Sequence, residues 1–301
     1  MKKRIFFFLR RSSILGILFL LSNCNEEEKK GVPSGISDDR GVPLSLEGPP
    51  ERIISLVPNI TEIVYALNGE SSLVGVTLYC NYPPEAQRLP KVGDLVNPSL
   101  ERIVDLNPDL LFATTPLQSL VIERLEGLGL NVFVLQPESV EAIENTIQKV
   151  GQIIGREREA GTLLQKMREE LARMEERVGS LHERRRVYLE IGINPLISIG
   201  ENSFVGELIQ RAGGVNILKG NDPYPIVNPE RVISQDPEVI LLAHPASTRE
   251  EVMKRLGWKG IAAIQEGRVV TDLDPDLILR PGPRIVEGVN LLFQKIYPEQ
   301  N

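Results

Sequence analysis

The chain has 301 residues and is 42% hydrophobic, enough to bury a core in each of two domains of ordinary size. Its formal net charge of −7, with no basic patch, argues against nucleic acid as the main partner. It contains no run of about 18 or more apolar residues, so no membrane-spanning helix is expected in the mature chain.

At the N-terminus, Lys2, Lys3, Arg4, Arg10 and Arg11 flank a short apolar run, Ile14 to Leu21, in the pattern of an export signal. Leu21-Ser22-Asn23-Cys24 then resembles a bacterial lipobox, in which the cysteine is lipidated and becomes the first mature residue. Asn23 departs from the Gly, Ala or Ser usual at that place. Residues 1–23 are therefore expected to be a lipoprotein signal peptide, with Cys24 as the lipidation site. The product would be an exported lipoprotein, held to a membrane by its lipid and facing the periplasm or cell exterior. The only other cysteine, Cys80, has no partner left and reads as a buried small hydrophobe. Residues 24–50 are charged, then rich in Gly, Pro and Ser without periodicity, and read as a flexible tether.

From Arg52 the pattern changes. Arg52 to Leu56 is a β-branched run, a buried strand candidate, broken at Pro58-Asn59. Thr61 opens a helical stretch with apolar residues at 60, 63, 64 and 67, ending at Gly69. Leu73 to Thr77 is the next strand, and Tyr79 to Pro90 a loop. A helix over 99–106, a strand over Leu110 to Ala113, a helix over 117–128, a strand over Asn131 to Leu135 and a helix over Val140 to Ile154 follow. Arg156 to Leu181 lacks proline and places apolar residues at 160, 163, 164, 167, 171, 174 and 178, one face of a long helix. The alternation then resumes: strand Val187 to Ile191, helix Ser203 to Arg211, strand Val239 to Ala243, helix Ile261 to Ile264, strand Val269 to Thr271, helix Arg284 to Ile296. Such alternation predicts an α/β protein of two Rossmann-like lobes, 51–155 and 182–301, joined by one helix over 156–181.

One segment occurs twice. NPSLERIVDLNPDLLFAT, residues 97–114, is echoed by VNPERVISQDPEVILLAH, residues 227–244, at an offset of 230 − 101 = 129 residues. In each copy a short helix leads through a proline turn into a strand. Asn97-Pro98 and Asn228-Pro229 look like helix starts, which places Glu101 and Glu230 in the first turn, where negative charge suits the helix dipole. Helix initiation alone could account for both glutamates.

Taken in order, RIISLVPNITEIVYALNG, GVTLYCNYP, LERIVDLNPDLLFA, YLEIGINPLISIG, AGGVNIL, PERVISQDPEVILLA and LDPDLILRPGPRI resemble the ABC-transporter substrate-binding proteins of the helical-backbone type. The likeness spans residues 51 to 297 and is nearest to cobalamin-binding members. It implies a ligand cleft between the lobes, and docking of one acidic residue per lobe onto a permease and ATPase complex, at the positions of Glu101 and Glu230. It implies ligand contacts at Tyr79, Leu95, Tyr224, Asp276, Leu277, Ile278, Leu279 and Arg280. Leu95 and Leu277 replace tryptophans of the cobalamin binders, which leaves room for a ferric siderophore or haem in place of a corrinoid. The resemblance implies no cofactor, and any metal would arrive as part of the ligand.

Other readings are weaker. There is no GxGxxG at a strand-to-helix turn, no P-loop and no GxSxG, so an enzyme is not expected. A zinc or manganese site needs several histidines, and only His182 and His244 occur. His182 is expected to face solvent; His244 is ambiguous. A surface adhesin or orphan ligand-binding lipoprotein of the same fold remains the non-transport alternative.

Overall fold

A computed structural model describes residues 35–300. The expected signal peptide and Cys24 lie outside the described residues. The first lobe is built from β1 (Ile53–Ser55), α1 (Pro58–Ala66), β2 (Leu73–Val76), α2 (Leu100–Asp105), β3 (Leu110–Ala113), α3 (Ser119–Gly127), β4 (Val132–Val134) and α4 (Val140–Ile153). A long helix, α5 (Glu157–Gly179), follows. The second lobe contains β5 (Arg186–Ile193), β6 (Leu196–Ser198), α6 (Phe204–Arg211), β7 (Val215–Asn216), α7 (Pro229–Gln235), β8 (Val239–Leu242), α8 (Arg249–Met253), α9 (Ala262–Gln265), β9 (Val269–Val270), α10 (Pro275–Ile278) and α11 (Ile285–Ile296).

The two sheets are wound alike. The first is fully parallel in the order β2-β1-β3-β4. In the second, β7, β5, β8 and β9 run parallel in the equivalent order, and β6 adds an antiparallel edge to the far end of β5. In such sheets the strand order reverses beside the first strand, and ligands bind outside the carboxyl ends at that switch point. The short strands are buried along their length, as the continuous apolar runs require.

α5 joins the lobes. Its buried residues, Ala160, Leu164, Met167, Leu171, Met174 and Val178, form one stripe at helical spacing. That stripe packs on α4 of the first lobe and on α6 and α11 of the second. At ~1.5 Å per residue the helix is about 35 Å long, enough to back both lobes. One continuous core therefore runs from the first sheet through α5 to α6 and α11. A second core, with Trp258 edge-on to Tyr188 at 6.1 Å between ring centres, fills the other face of the second sheet.

The repeat is a shared corner. α2 and α7 each end at a left-handed residue, Asn107 (φ 42°) and Asp236 (φ 46°), and 236 − 107 reproduces the 129-residue offset. Asn and Asp tolerate that conformation better than most residues, and the proline that follows cannot continue a helix. Arg102 then donates to the Lys91 carbonyl (3.1 Å), as Arg231 does to that of Lys219 (3.0 Å). Asp109 accepts the Arg52 amide (2.8 Å), as Glu238 accepts that of Arg186 (2.9 Å), each at the start of its lobe's first strand. The helix starts differ. Asn228 caps α7 through Glu230 N as expected, but α2 is capped by Ser99, which accepts from Arg102 N, two residues later than Asn97.

The tether expectation is corrected over its described part. Residues 36–44 form a small turn docked beside β4, with Ile36, Leu44 and Leu46 against the core. Buried Asp38 holds it. Its carboxylate accepts from Arg40 N (2.9 Å), Val42 N (2.9 Å), Arg40 Nε (2.8 Å) and Val134 N (3.2 Å). Asp39 adds an ion pair with Lys149 at 2.7 Å. Asp38→Ala is expected to release this strap without unfolding the lobe, since it orphans the turn and one strand amide. Trypsin cleavage after Arg40 should then accelerate by roughly ten-fold or more, as a local opening free energy near 1.4 kcal/mol lower would dictate. A cleavage rate equal to wild type would show that Asp38 does not hold the strap.

Candidate functional site: the interlobe cleft

A cleft of about 470 Å³ opens between the lobes at the carboxyl ends of both sheets. Pro137 and Glu138, just beyond β4, form the first-lobe wall. The second-lobe wall is Ile191 from β5, the start of α6 from Asn202 to Val205, and the loop carrying Asn221, Pro223 and Tyr224. Leu279 and Pro281 complete the lining beyond α10.

Two glycines allow that second wall to close up. A Cβ on Gly200 would strike the Asp222 carbonyl, and one on Gly206 would strike the carbonyls of Gly200 and Glu201. Only glycine lets these backbones approach so closely. Ser203 caps α6 by accepting from Gly206 N at 3.0 Å, which fixes the helix start where Phe204 and Val205 face the cleft. Further back, Glu207 of α6 accepts the Val140 amide at the start of α4 across the lobes at 2.9 Å. A carboxylate suits that helix N-terminus.

The lining is largely apolar, with asparagines, a serine, a tyrosine hydroxyl and one carboxylate. Burial, and then the Glu138 carboxylate, push the Tyr224 phenol above its ordinary range, so it stays protonated as a donor at neutral pH. Apolar walls with a few polar groups suit a sizeable organic ligand held by shape and oriented at its edge.

Beside the cleft, the lobes are clasped by charge. Glu62 on α1 is 3% exposed and accepts from Arg284 twice, at 2.8 Å to each carboxylate oxygen. Arg280 reaches Glu62 Oε1 at 3.1 Å, Asn81 Oδ1 at 2.7 Å and the Tyr79 carbonyl at 3.3 Å, and it pairs with Asp276 at 2.8 Å. Asn81 donates to Asp276 at 3.1 Å, and Asn59 to the Pro281 carbonyl at 3.0 Å. The bond to Glu62 raises the Arg284 pKa further, so the guanidinium stays charged at any physiological pH. Arg284 also stacks over Tyr82 at 3.9 Å from the ring centre.

The sequence-expected contacts separate into groups here. Tyr224 and Leu279 line the cleft. Tyr79, 55% exposed, lies at the rim, where its carbonyl meets Arg280. Asp276 and Arg280 belong to the clasp. Leu95 is half-buried, with its carbonyl taken by Gln118 at 2.8 Å. Leu277 packs partly against the core. Ile278 is corrected: at the end of α10 it is fully buried and has no surface to offer a ligand. Glu62, Arg284, Glu138 and Phe204 were not expected at all. Glu62 falls between the apolar helix positions, and its partners lie 218 and 222 residues away, which no local pattern reveals.

Glu101 and Glu230 are both exposed at the second position of their helices. Among the described residues neither carboxylate has a hydrogen bond or ion pair. His182 is exposed as expected. His244 Nε2 meets Glu190 at 3.0 Å, and among the described residues no group of three His, Cys, Asp or Glu side chains stands together as a metal site would need. Cys80 is buried as expected, but among the hydroxyls of Thr61 and Thr77. No described helix is long and apolar enough to cross a membrane.

Comparison with known proteins agrees with this geometry. The periplasmic binding protein family model matches residues 53–277. An uncharacterized ABC transporter substrate-binding lipoprotein, YvrC, of Bacillus subtilis (strain 168) is 30% identical over 89% of this chain and 86% of its own length. A vitamin B12-binding protein of Vibrio parahaemolyticus is 30% identical over 80% of this chain and 87% of its own. The crystal structure of a periplasmic heme binding protein from Pseudomonas aeruginosa superposes with a TM-score of 0.73 at 29% identity, covering 83% of this chain and 93% of that one. Substrate-binding proteins of ABC transporters bind and do not catalyse. With two like-wound lobes, a single bridging helix and a cleft at the switch points, this chain belongs to the periplasmic binding protein family.

Proposed function

We propose that this protein is the substrate-binding component of an ABC importer, which takes up cobalamin or a related corrinoid in the interlobe cleft and delivers it to a permease and ATPase complex. The observation that carries the reading is the cleft itself: about 470 Å³, largely apolar, walled by both lobes and flanked by the exposed rings of Tyr79 and Tyr224. A flat macrocycle gains from such faces, while Asn202, Asn221 and the Tyr224 hydroxyl can bond its polar edge. Anchorage through a lipid on Cys24 would hold the protein beside the permease.

The repeat supports the docking part. Ile103 and Val232 are buried, the arginines and the following acids are bonded into the corner, and the prolines shape it. Only Glu101 and Glu230 of the repeated residues have no internal work, and each lobe presents one to solvent. Two fixed, separated carboxylates can set register on a basic partner.

A ferric siderophore or haem is the second reading, favoured by one feature: the exposed Tyr79 phenol at the rim is a competent axial ligand for haem iron. Calorimetry of residues 25–301 against cyanocobalamin, haem and a ferric hydroxamate siderophore distinguishes these. Tight one-to-one binding of cyanocobalamin alone is expected. Binding of one of the others alone would move the substrate; no heat with any of the three would leave the adhesin alternative standing.

A further inference from the structure

We infer that Glu62 and Arg284 form a permanent pin between the lobes, and that Arg280 is a releasable arm that leaves the pin to meet an anionic group on the ligand. The inference rests on the reading of the interlobe cleft as the ligand site. The resemblance already implied a ligand contact at Arg280; the pin, the release and the preference for an anion are new.

The two arginines are not equivalent. Arg284 satisfies both oxygens of Glu62 in a parallel, bidentate pair, 2.8 Å on each side. It is also covered by Tyr82; exposure does not separate the two side chains, at 11% for Arg284 and 15% for Arg280. Arg280 adds a third, longer bond of 3.1 Å to an oxygen that Arg284 already holds. Its remaining partners, the Asn81 side chain, the Tyr79 carbonyl and Asp276, lie at the rim where water can replace it. If Arg280 turns away, Glu62 keeps its two best bonds, and Asp276 keeps Asn81. If Arg284 were lost, buried Glu62 would keep only the weaker partner. Arg284 is thus built to stay, and Arg280 can go without orphaning a buried charge.

The cleft supplies the reason to go. Arg280 stands between Leu279 and Pro281, both of which line it. Among the described residues Glu138 is the one charged group in that lining, so a ligand carboxylate or phosphate would find neutral donors but no positive charge there. A guanidinium swung from the rim would supply that charge and could bind such a group bidentately. The ligand class that follows is a large organic or metal-chelate body bearing at least one carboxylate or phosphate ester. The pin would meanwhile keep the cleft width fixed, so little lobe movement would accompany binding.

Two measurements on the intact chain in detergent test this. The first compares ligand pairs: cyanocobalamin against dicyanocobinamide, which lacks the phosphodiester together with its ribose and base, and haem against haem dimethyl ester, which differs only in lacking the free carboxylates. Wild type should favour the anionic member of whichever pair it binds. Arg280→Gln should reduce that preference by at least about ten-fold, the loss of one charge-assisted bond, while binding of the neutral member stays within about two-fold. The second measures the distance between spin labels at Leu120→Cys and Leu256→Cys. Arg280→Gln should leave it unchanged; Glu62→Gln and Arg284→Gln should lengthen or broaden it, and Arg284→Lys should restore it in part. An unaltered anion preference in Arg280→Gln overturns the arm. Lobe spacing that shifts as much in Arg280→Gln as in Glu62→Gln, or in neither, overturns the pin. If wild type binds none of the four ligands, the corrinoid and haem readings fail, and the label distances still decide the pin.

Discussion

Glu190→Gln is expected to lower the stability of the protein by about 3–5 kcal/mol, although it changes a single atom and preserves volume. Glu190 lies in the middle of β5 with no exposed surface. Its carboxylate receives Arg255 at 2.6 and 2.7 Å, His244 Nε2 at 3.0 Å and the Tyr188 hydroxyl at 3.3 Å. His244 Nδ1 accepts the Ala246 amide at 3.1 Å, so the ring carries its proton on Nε2 and donates to Glu190. Burial, and then the neighbouring carboxylate, push the Tyr188 phenol upward, which keeps it a donor. Every donor around the site is thus aimed at one negative charge. Glutamine removes the charge and turns one acceptor into a donor against donors. It also leaves Arg255, stacked on Trp258 at 4.7 Å, without a counter-ion in a mostly buried place. At about 2–4 °C per kcal/mol for domains of 150–250 residues, the midpoint of thermal unfolding should fall by at least roughly 6 °C. Urea unfolding provides the check, and a loss under about 1 kcal/mol would refute the assignment. The double change Glu190→Leu with Arg255→Met should recover only the part due to the unpaired arginine, because the buried Tyr188 hydroxyl and the His244 ring are still left without an acceptor.

How much of this could be read from the chain depends on how local each cause is. The strands and helices follow from patterns a few residues long, so β1, β3, β4, β8 and the stripe on α5 lie where the alternation puts them. α1 begins at Pro58, which the sequence suggested as a break; proline at the first helical position needs no amide partner and starts the helix there. β6, α8 and α10 are too short to show a period. The strap over 36–44 has the composition of a linker, and its order rests on four bonds to one aspartate and on β4, some ninety residues on. The clasp was hidden for the same reason. An acid in helix α1 and two arginines near the C-terminus gain meaning only when the lobes are side by side. Ile278 shows the opposite error. The resemblance implies a contact at this position, yet the side chain is fully buried in the core, where α10 packs on α11. The repeat was visible at once, but its reason, a left-handed corner stitched by Arg and Asp or Glu in each lobe, needed the folded chain.

The double substitution Glu101→Ala with Glu230→Ala should abolish uptake into cells that depend on this protein, with ligand affinity unchanged within about two-fold. Neither residue touches the cleft lining, so binding has no reason to respond. Stability should also hold. Ser99 and Asn228 cap the two helices, and an exposed first-turn carboxylate contributes only about 0.3–1 kcal/mol through the helix dipole. What disappears is one charge per lobe at equivalent corners. If a permease reads those charges with cations at matching spacing, either single substitution leaves half the contact and should impair uptake partially, whereas the pair should remove both steering and register. Transport by the wild type should then weaken as ionic strength rises, since exposed charges are screened over about 8–10 Å at physiological salt. Reversal to Arg at both positions should be worse than alanine, because it converts missing attraction into repulsion. Full uptake by the double alanine variant would sink the docking assignment and return both glutamates to the lesser task of starting a helix.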